Sequence, residues 1–201
     1  MRSYSEKNIK SYDKKADNYE NTLDGKLTEK FKKLLIAAVD INDGCSVLDI
    51  GCGNGTLLSR MAKLKQIHGF GVDISSQMIK TASAHYPHLK FATSSCEKLP
   101  FDDNSMDIIT VCAAYHHFPD VDVFAAEAGR LLKDKGNLYI AEVYFPFVLR
   151  HIANIFLPLS RAGDVKFYSP GEIESTFSNV GFHLVKAQIN GHIQVIHLQK
   201  A

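Results

Sequence analysis

Apolar positions along the chain fall by turns into short runs and helical stripes. Val47, Leu48 and Ile50 form a run short enough for a buried strand. Leu57, Leu58, Met61, Ala62 and Leu64 follow at helical spacing, so the glycine-rich stretch between them turns a strand into a helix. The alternation then repeats. A second strand is predicted over 69–73, with Ser75 as N-cap of a helix reaching about residue 86. A third strand covers 89–92 and a fourth 107–112. A helix over 120–133 buries Phe124, Ala128, Leu131 and Leu132 and ends at Gly136 as its C-cap, and 138–143 makes a fifth strand.

Two amphipathic stretches precede this unit. Residues 3–22 carry Tyr4, Ile9, Tyr12, Ala16 and Tyr19 at intervals of three to five, as on one side of a surface helix, and 27–39 turns Leu27, Phe31, Leu34, Leu35 and Ala38 toward the sheet. After it, a helix over 170–179 has Ser169 as N-cap and Pro170 at its first position. Two alternating runs, 182–189 and 193–198, are joined by Asn190-Gly191 as a two-residue type I′ turn. Five strands with four intervening helices predict a parallel α/β sheet, and the hairpin adds an antiparallel final strand.

The stretch 143–161, VYFPFVLRHIANIFLPLSR, breaks the pattern. Pro146, Arg150, His151 and Pro158 interrupt it too often for a bilayer span, yet it is too apolar for a solvated loop. Three readings are open: an apolar substrate pocket, a dimer interface, or an extra helix completing the core. The chain is accordingly a monomer or a homodimer.

Length and composition narrow the class. A chain of 201 residues suits one domain, 1–201, and buries enough surface to need no disulfide or metal for its core. A net charge of +1 with no block of like charge disfavours nucleic acid and anionic membranes as partners. Cys45, Cys52, Cys96 and Cys112 are scattered without a C-x-x-C pair, and no secretory leader pattern is present, which fits reduced thiols in a cytoplasm. No metal site is expected. His116 and His117 are adjacent, and on a regular helix or strand their side chains diverge.

The candidate chemistry lies at the first strand's end. Gly51, Gly53 and Gly55 permit positive φ and close approach of a ligand, and the following helix directs free N–H groups at whatever sits above them. A dinucleotide cradle shows G-x-G-x-x-G, whereas residues 49–55 read D-x-G-x-G-x-G. That spacing resembles motif I of the class I S-adenosylmethionine (SAM) dependent methyltransferases, which it matches at all four fixed positions. Asp73, closing the second strand of the β-α-β unit, is placed to accept hydrogen bonds from a cofactor ribose.

The resemblance extends along most of the chain. The segment Y-D-K-K-A-D-N-Y is similar to the Y-D-x-x-A-x-x-Y lid of small-molecule methyltransferases, with Tyr12 and Tyr19 as lid contacts; plain helix packing explains the same spacing. The hairpin's inserted strand matches the family's Rossmann-like, doubly wound, seven-stranded sheet, mostly parallel with an antiparallel last strand. By the same resemblance, Asp49 fixes the glycine loop near the methionine amino group, and Gly51, Cys52 and Gly53 meet the methionyl portion by backbone. Ile74 and Met78 then fall where the family packs the adenine, a position equally open to core residues. Ser95, Cys96 and Glu97 stand where the family's D-A-x-x-L-P-F turn reads the base, although Ser95 replaces the leading acid, and Cys112 ends the fourth strand at the ligand rim.

The activity implied is methyl transfer from SAM, with S-adenosylhomocysteine as product, to a small and possibly apolar acceptor: a metabolite, quinone or lipid. The cofactor carries the reactive methyl, so few catalytic side chains are required. Candidates for a general base are Tyr115, His116 and His117, although the two histidines read more readily as loop residues held by backbone bonds. Residues 1–40 would form the lid and 143–168 an insertion over the substrate. Two alternatives stay open: a SAM-binding sensor without transfer, and an NAD-dependent oxidoreductase.

Overall fold

Apolar side chains on both faces of each central strand require helices on both sides of the sheet, and the computed structural model has them; it describes residues 2–157 and 163–201, with side chains from residue 5 onward. The strands are β1 (Ser46–Ile50), β2 (His68–Asp73), β3 (Lys90–Thr93), β4 (Met106–Cys112), β5 (Leu132–Val143), β6 (Phe182–Asn190) and β7 (Ile193–Lys200). The helices are α1 (Arg2–Asp13), α2 (Leu23–Ala38), α3 (Thr56–Leu64), α4 (Ser76–His85), α5 (Val121–Leu131), α6 (Phe147–Phe156) and α7 (Pro170–Ser178). One seven-stranded sheet runs β3-β2-β1-β4-β5-β7-β6. The first five strands pair in parallel, and β7 lies antiparallel between β5 and β6.

Strand alternation sorts the core into two layers. Leu48, Ile50, Ile109, Val111, Leu138, Ile140, Ile196 and Leu198 pack with Phe124 and Ala128 of α5 and Phe177 of α7. Val47, Ile108, Tyr139, Ala141 and Val195 pack on the opposite face with Phe31 and Leu35 of α2 and Leu57, Leu58 and Met61 of α3. Asp49 and Thr110 share that second face as direct register partners, so the pairing itself sets their contact. The caps at Ser75 and Ser169 form as expected: Ser75 accepts from Met78 N–H, and Ser169 makes a capping box with Glu172 behind Pro170.

The structure corrects several local expectations. The N-terminal stretch is not one helix: α1 stops at Asp13, and a 3-10 stretch, Ala16–Asn21, carries the chain to α2. Leu27 and Leu64, expected to be buried, are exposed. Gly136 does not cap α5, which ends at Leu131. Met106 pairs with Leu132 and Ile108 with Asn137, so four residues loop out of β5 opposite Asp107, where Lys133 binds the Asp107 carboxylate at 2.8 Å. Lys135 takes the positive φ, 60°, while at Gly136 a Cβ would lie 2.8 Å from the Lys133 carbonyl, so glycine is needed there for close approach.

The hairpin turn is likewise shifted by one residue. Asn190 pairs with Ile193, leaving Gly191-His192 as the loop, and only Gly191 has positive φ, the pattern of a type II′ rather than I′ turn. The apolar stretch after β5 forms α6, whose Phe147, Val148, Leu149, Ile152, Ile155 and Phe156 are exposed, so it does not act as a core-completing helix. Residues 158–161 of that stretch, and the Tyr4 side chain, lie outside the described residues. Among the described residues, no helix is long and apolar enough to cross a membrane.

Candidate active site

The three glycines after β1 all adopt positive φ: 69° at Gly51, 52° at Gly53 and 79° at Gly55, which is the N-cap of α3. Gly51 and Cys52 both donate their N–H to the Val72 carbonyl at 2.8 and 2.9 Å, which ties the loop to β2. A Cβ on Gly51 would lie 2.6 Å from that of Ala114, whereas at Gly53 it would meet nothing within 4 Å. The first glycine is required for packing, and the second leaves its backbone bare toward the cleft.

Asp73 closes β2 and braces this loop. Its Oδ2 accepts from Gly53 N–H at 2.9 Å and its Oδ1 from Ser75 N–H at 2.8 Å. Burial pushes its carboxyl up from the usual range, and those two donors oppose the shift. Each oxygen keeps a second lone pair for a ligand hydroxyl. Asp49, expected to fix the loop, instead accepts from the Thr110 hydroxyl at 2.8 Å; the loop is fastened through Asp73 and Val72. Burial pushes Asp49 up to about 7, helped by the nearby Asp73 charge and opposed by Lys32.

The N-terminal segment covers the cleft from above. Glu20 Oε1 accepts from Lys32 Nζ at 2.9 Å, Asn54 Nδ2 at 3.1 Å and the Thr56 hydroxyl at 2.9 Å, latching the 3-10 stretch to the start of α3. Tyr12 and Tyr19 sit with ring centroids 6.0 Å apart, and the Tyr12 hydroxyl lies 3.2 Å from His117 Nε2. Burial pushes Tyr19 up to about 12 and Tyr12 higher still, so both phenols stay protonated.

Together these residues enclose a cleft of about 960 Å³ including its open mouth. Tyr12, Tyr19, Asp49, Gly51, Cys52, Gly53, Asp73, Ile74, Met78, Ser95, Cys96 and Cys112 all line it, and so does His117. Glu97, Tyr115 and His116 do not. Glu97 bonds the Ser95 hydroxyl, and Tyr115 is fully buried among Phe118, Phe124, Tyr168 and Phe177. The thiols of Cys52, Cys96 and Cys112 are pushed up by burial and are poor nucleophiles.

The histidines do not diverge as expected. Tyr115–His117 is a 3-10 turn, not a regular helix, and the two imidazole centroids lie 4.0 Å apart. His116 Nδ1 lies 2.8 Å from Glu142 Oε1; burial opposes its charge, but Glu142 and then Asp164 outweigh that and raise its pKa. Burial and the neighbouring His116 push His117 well below its ordinary value.

Sequence reasoning missed Lys32, Asn8 and Asn54. Lys32 is buried on the cleft-facing side of α2, beside Asp49's field. Asn8 is buried against the cleft, and among the described residues its Nδ2 has no hydrogen-bond partner. In the sequence Lys32 and Asn8 read as ordinary polar positions of amphipathic helices, and Asn54 as a variable position of the glycine loop.

A sheet in this strand order, with a glycine loop after β1 and a carboxylate closing β2, defines the Rossmann-like methyltransferase architecture. Residues 48–140 match the methyltransferase domain family. The chain is 32% identical over 142 residues to the demethylmenaquinone methyltransferase of Chlorobaculum tepidum, a match covering 64% of this chain and 57% of that protein, so it spans little more than half of that relative's length. It is 25% identical over 211 residues to the demethylmenaquinone methyltransferase of Staphylococcus aureus (strain JH9), covering 92% and 88% of the two chains. The YcgJ protein of Bacillus subtilis shares the fold with a TM-score of 0.72 at 22% identity, over 86% of this chain and 98% of that one. Residues 48–140 thus carry a methyltransferase domain, and the fold is that of the class I SAM-dependent methyltransferases.

Proposed function

We propose that the protein binds SAM in the cleft and methylates a small apolar acceptor. The observation that carries this reading is Asp73: a carboxylate held by two backbone N–H groups at the lip of a glycine loop, with a lone pair left on each oxygen for a pair of ribose hydroxyls. The unpartnered Asn8 Nδ2 also fits a ligand rich in acceptors, since a buried donor without a partner costs about 1–3 kcal/mol. When bound, the cofactor supplies an electrophilic methyl group on a positively charged sulphur.

The chain's own residues bind and orient. Asp73 holds the ribose, Ile74 and Met78 flank the adenine, and Ser95 and Cys96 bound its edge. Asp49 faces the methionyl ammonium, and Lys32, paired with Glu20, lines the same end of the cleft. Tyr12 and Tyr19, latched through Glu20, exclude water from above, which favours transfer to the acceptor over hydrolysis. The two relatives named as demethylmenaquinone methyltransferases suggest an aromatic, quinone-like acceptor for this chain.

The test is direct. A labelled-methyl screen over phenolic, quinol, amine and lipid acceptors is expected to find label incorporated into at least one aromatic acceptor. Nucleoside binding with a blank in every class would instead favour a module that binds SAM without transferring the methyl.

A further inference from the structure

We propose that His116, His117 and Asp164 form a binding site for a zinc-like divalent metal ion at the wall of the cleft. The three donor atoms come from two segments that the fold brings together. The 3-10 turn after β4 presents both imidazoles, and the chain between α6 and α7 presents Asp164. That second segment is pinned in place, since the Val165 and Lys166 N–H groups donate to the His116 carbonyl at 2.8 and 3.3 Å.

The spacing suits coordination. Asp164 Oδ1 lies 3.6 Å from His116 Nε2 and 3.2 Å from His117 Nδ1, and all three donors lie within 4.8 Å of one another. A tetrahedral ion about 2.0–2.1 Å from each ligand holds its ligand atoms about 3.3 Å apart. Asp164 Oδ1 already lies near that spacing from both imidazole nitrogens.

The outer contacts select the right nitrogens. His116 turns Nδ1 to Glu142 Oε1 at 2.8 Å, and the fully buried Glu142 also accepts the His116 N–H at 3.2 Å. This is the carboxylate–histidine arrangement that orients metal ligands, and it leaves Nε2 facing Asp164. His117 turns Nε2 to the Tyr12 hydroxyl at 3.2 Å, and its Nδ1, 3.2 Å from Asp164 Oδ1, also contacts the Gly163 carbonyl at 3.4 Å, a contact that a bound ion would displace.

Ligand type agrees. Glu142 and Asp164 bring two carboxylates to the two imidazoles at a largely buried spot. Two imidazoles and one carboxylate favour zinc over magnesium or calcium, and three protein ligands leave a fourth position open. Because His117 lines the cleft, that position would take water or, if the methyl-transfer reading holds, an oxygen of the acceptor.

The experiment uses untagged protein, stripped with a chelator and titrated with Co2+ and then Zn2+. One equivalent of Co2+ should give the visible bands of a tetrahedral site and be displaced by Zn2+. His116→Ala and Asp164→Asn should each weaken binding at least about 100-fold, and Glu142→Gln about 10- to 100-fold. Asp164 lies outside the helices and strands, so its replacement keeps the test open if His116→Ala does not fold. No uptake, or uptake undiminished in Asp164→Asn, overturns the site. Titrating the same samples with S-adenosylhomocysteine separates the two questions: uptake of Co2+ without nucleoside binding sinks the methyl-transfer reading alone, and the reverse sinks the metal site alone.

Discussion

At the scale of single residues, the cleft depends on two carboxylates with different duties. Asp73 accepts from backbone donors that oppose its upward shift and braces the glycine loop, whereas Asp49 is buried with one hydroxyl partner and is pushed up to about 7. An acid whose folded pKa, about 7, lies above its unfolded value binds its proton more tightly when folded. Stability from this group is therefore present at low pH and lost as pH rises from about 4 through 7. Asp49→Asn should flatten that decline, so that in thermal melts between pH 5 and 8 the variant gains on the wild type as pH rises; parallel curves would contradict the assignment. Asp73 was legible in the sequence because an acid closing the second strand of a β-α-β unit has few other duties. Lys32 and Asn8 were not, since a polar residue on an amphipathic helix does not show which way the helix will roll.

At the scale of elements, α6 is held by a few polar contacts more than by its apolar residues. Asn154 brackets Phe167, donating to its carbonyl at 3.0 Å and accepting from its N–H at 2.8 Å, and Arg150 reaches Glu172 at 3.4 Å. Asn154→Ala leaves two backbone groups of Phe167 unpaired and should cost about 1–3 kcal/mol in denaturant unfolding. Ile155→Glu, on the exposed face, should cost no more than about 0.5 kcal/mol. If the order of the two effects were reversed, α6 would be packing through the wrong face in this account. The misread elements share one cause. The kink at 14–15, the loop-out before Gly136 and the one-residue shift of the hairpin turn are decided by pairing register and tertiary contacts that local periodicity does not contain.

At the scale of the whole molecule, the sheet was legible because its strands are buried on both faces and so read as near-continuous apolar runs between helical stripes. The inserted β7 was legible from one turn signal between two alternating runs, even though the turn falls one residue later. Less of the site could be read, because the contact of Tyr12 with His117, the Glu20 latch and the meeting of the two histidines with Asp164 join segments far apart in the chain. The proposed function rests on the cleft being a nucleoside site gripped by Asp73. Isothermal titration with S-adenosylhomocysteine tests this most directly. Binding in the micromolar range is predicted for the wild type, weakened by about 1.5–3 kcal/mol in a folded Asp73→Ala variant. No binding to the wild type, or equal affinity in the variant, would contradict it.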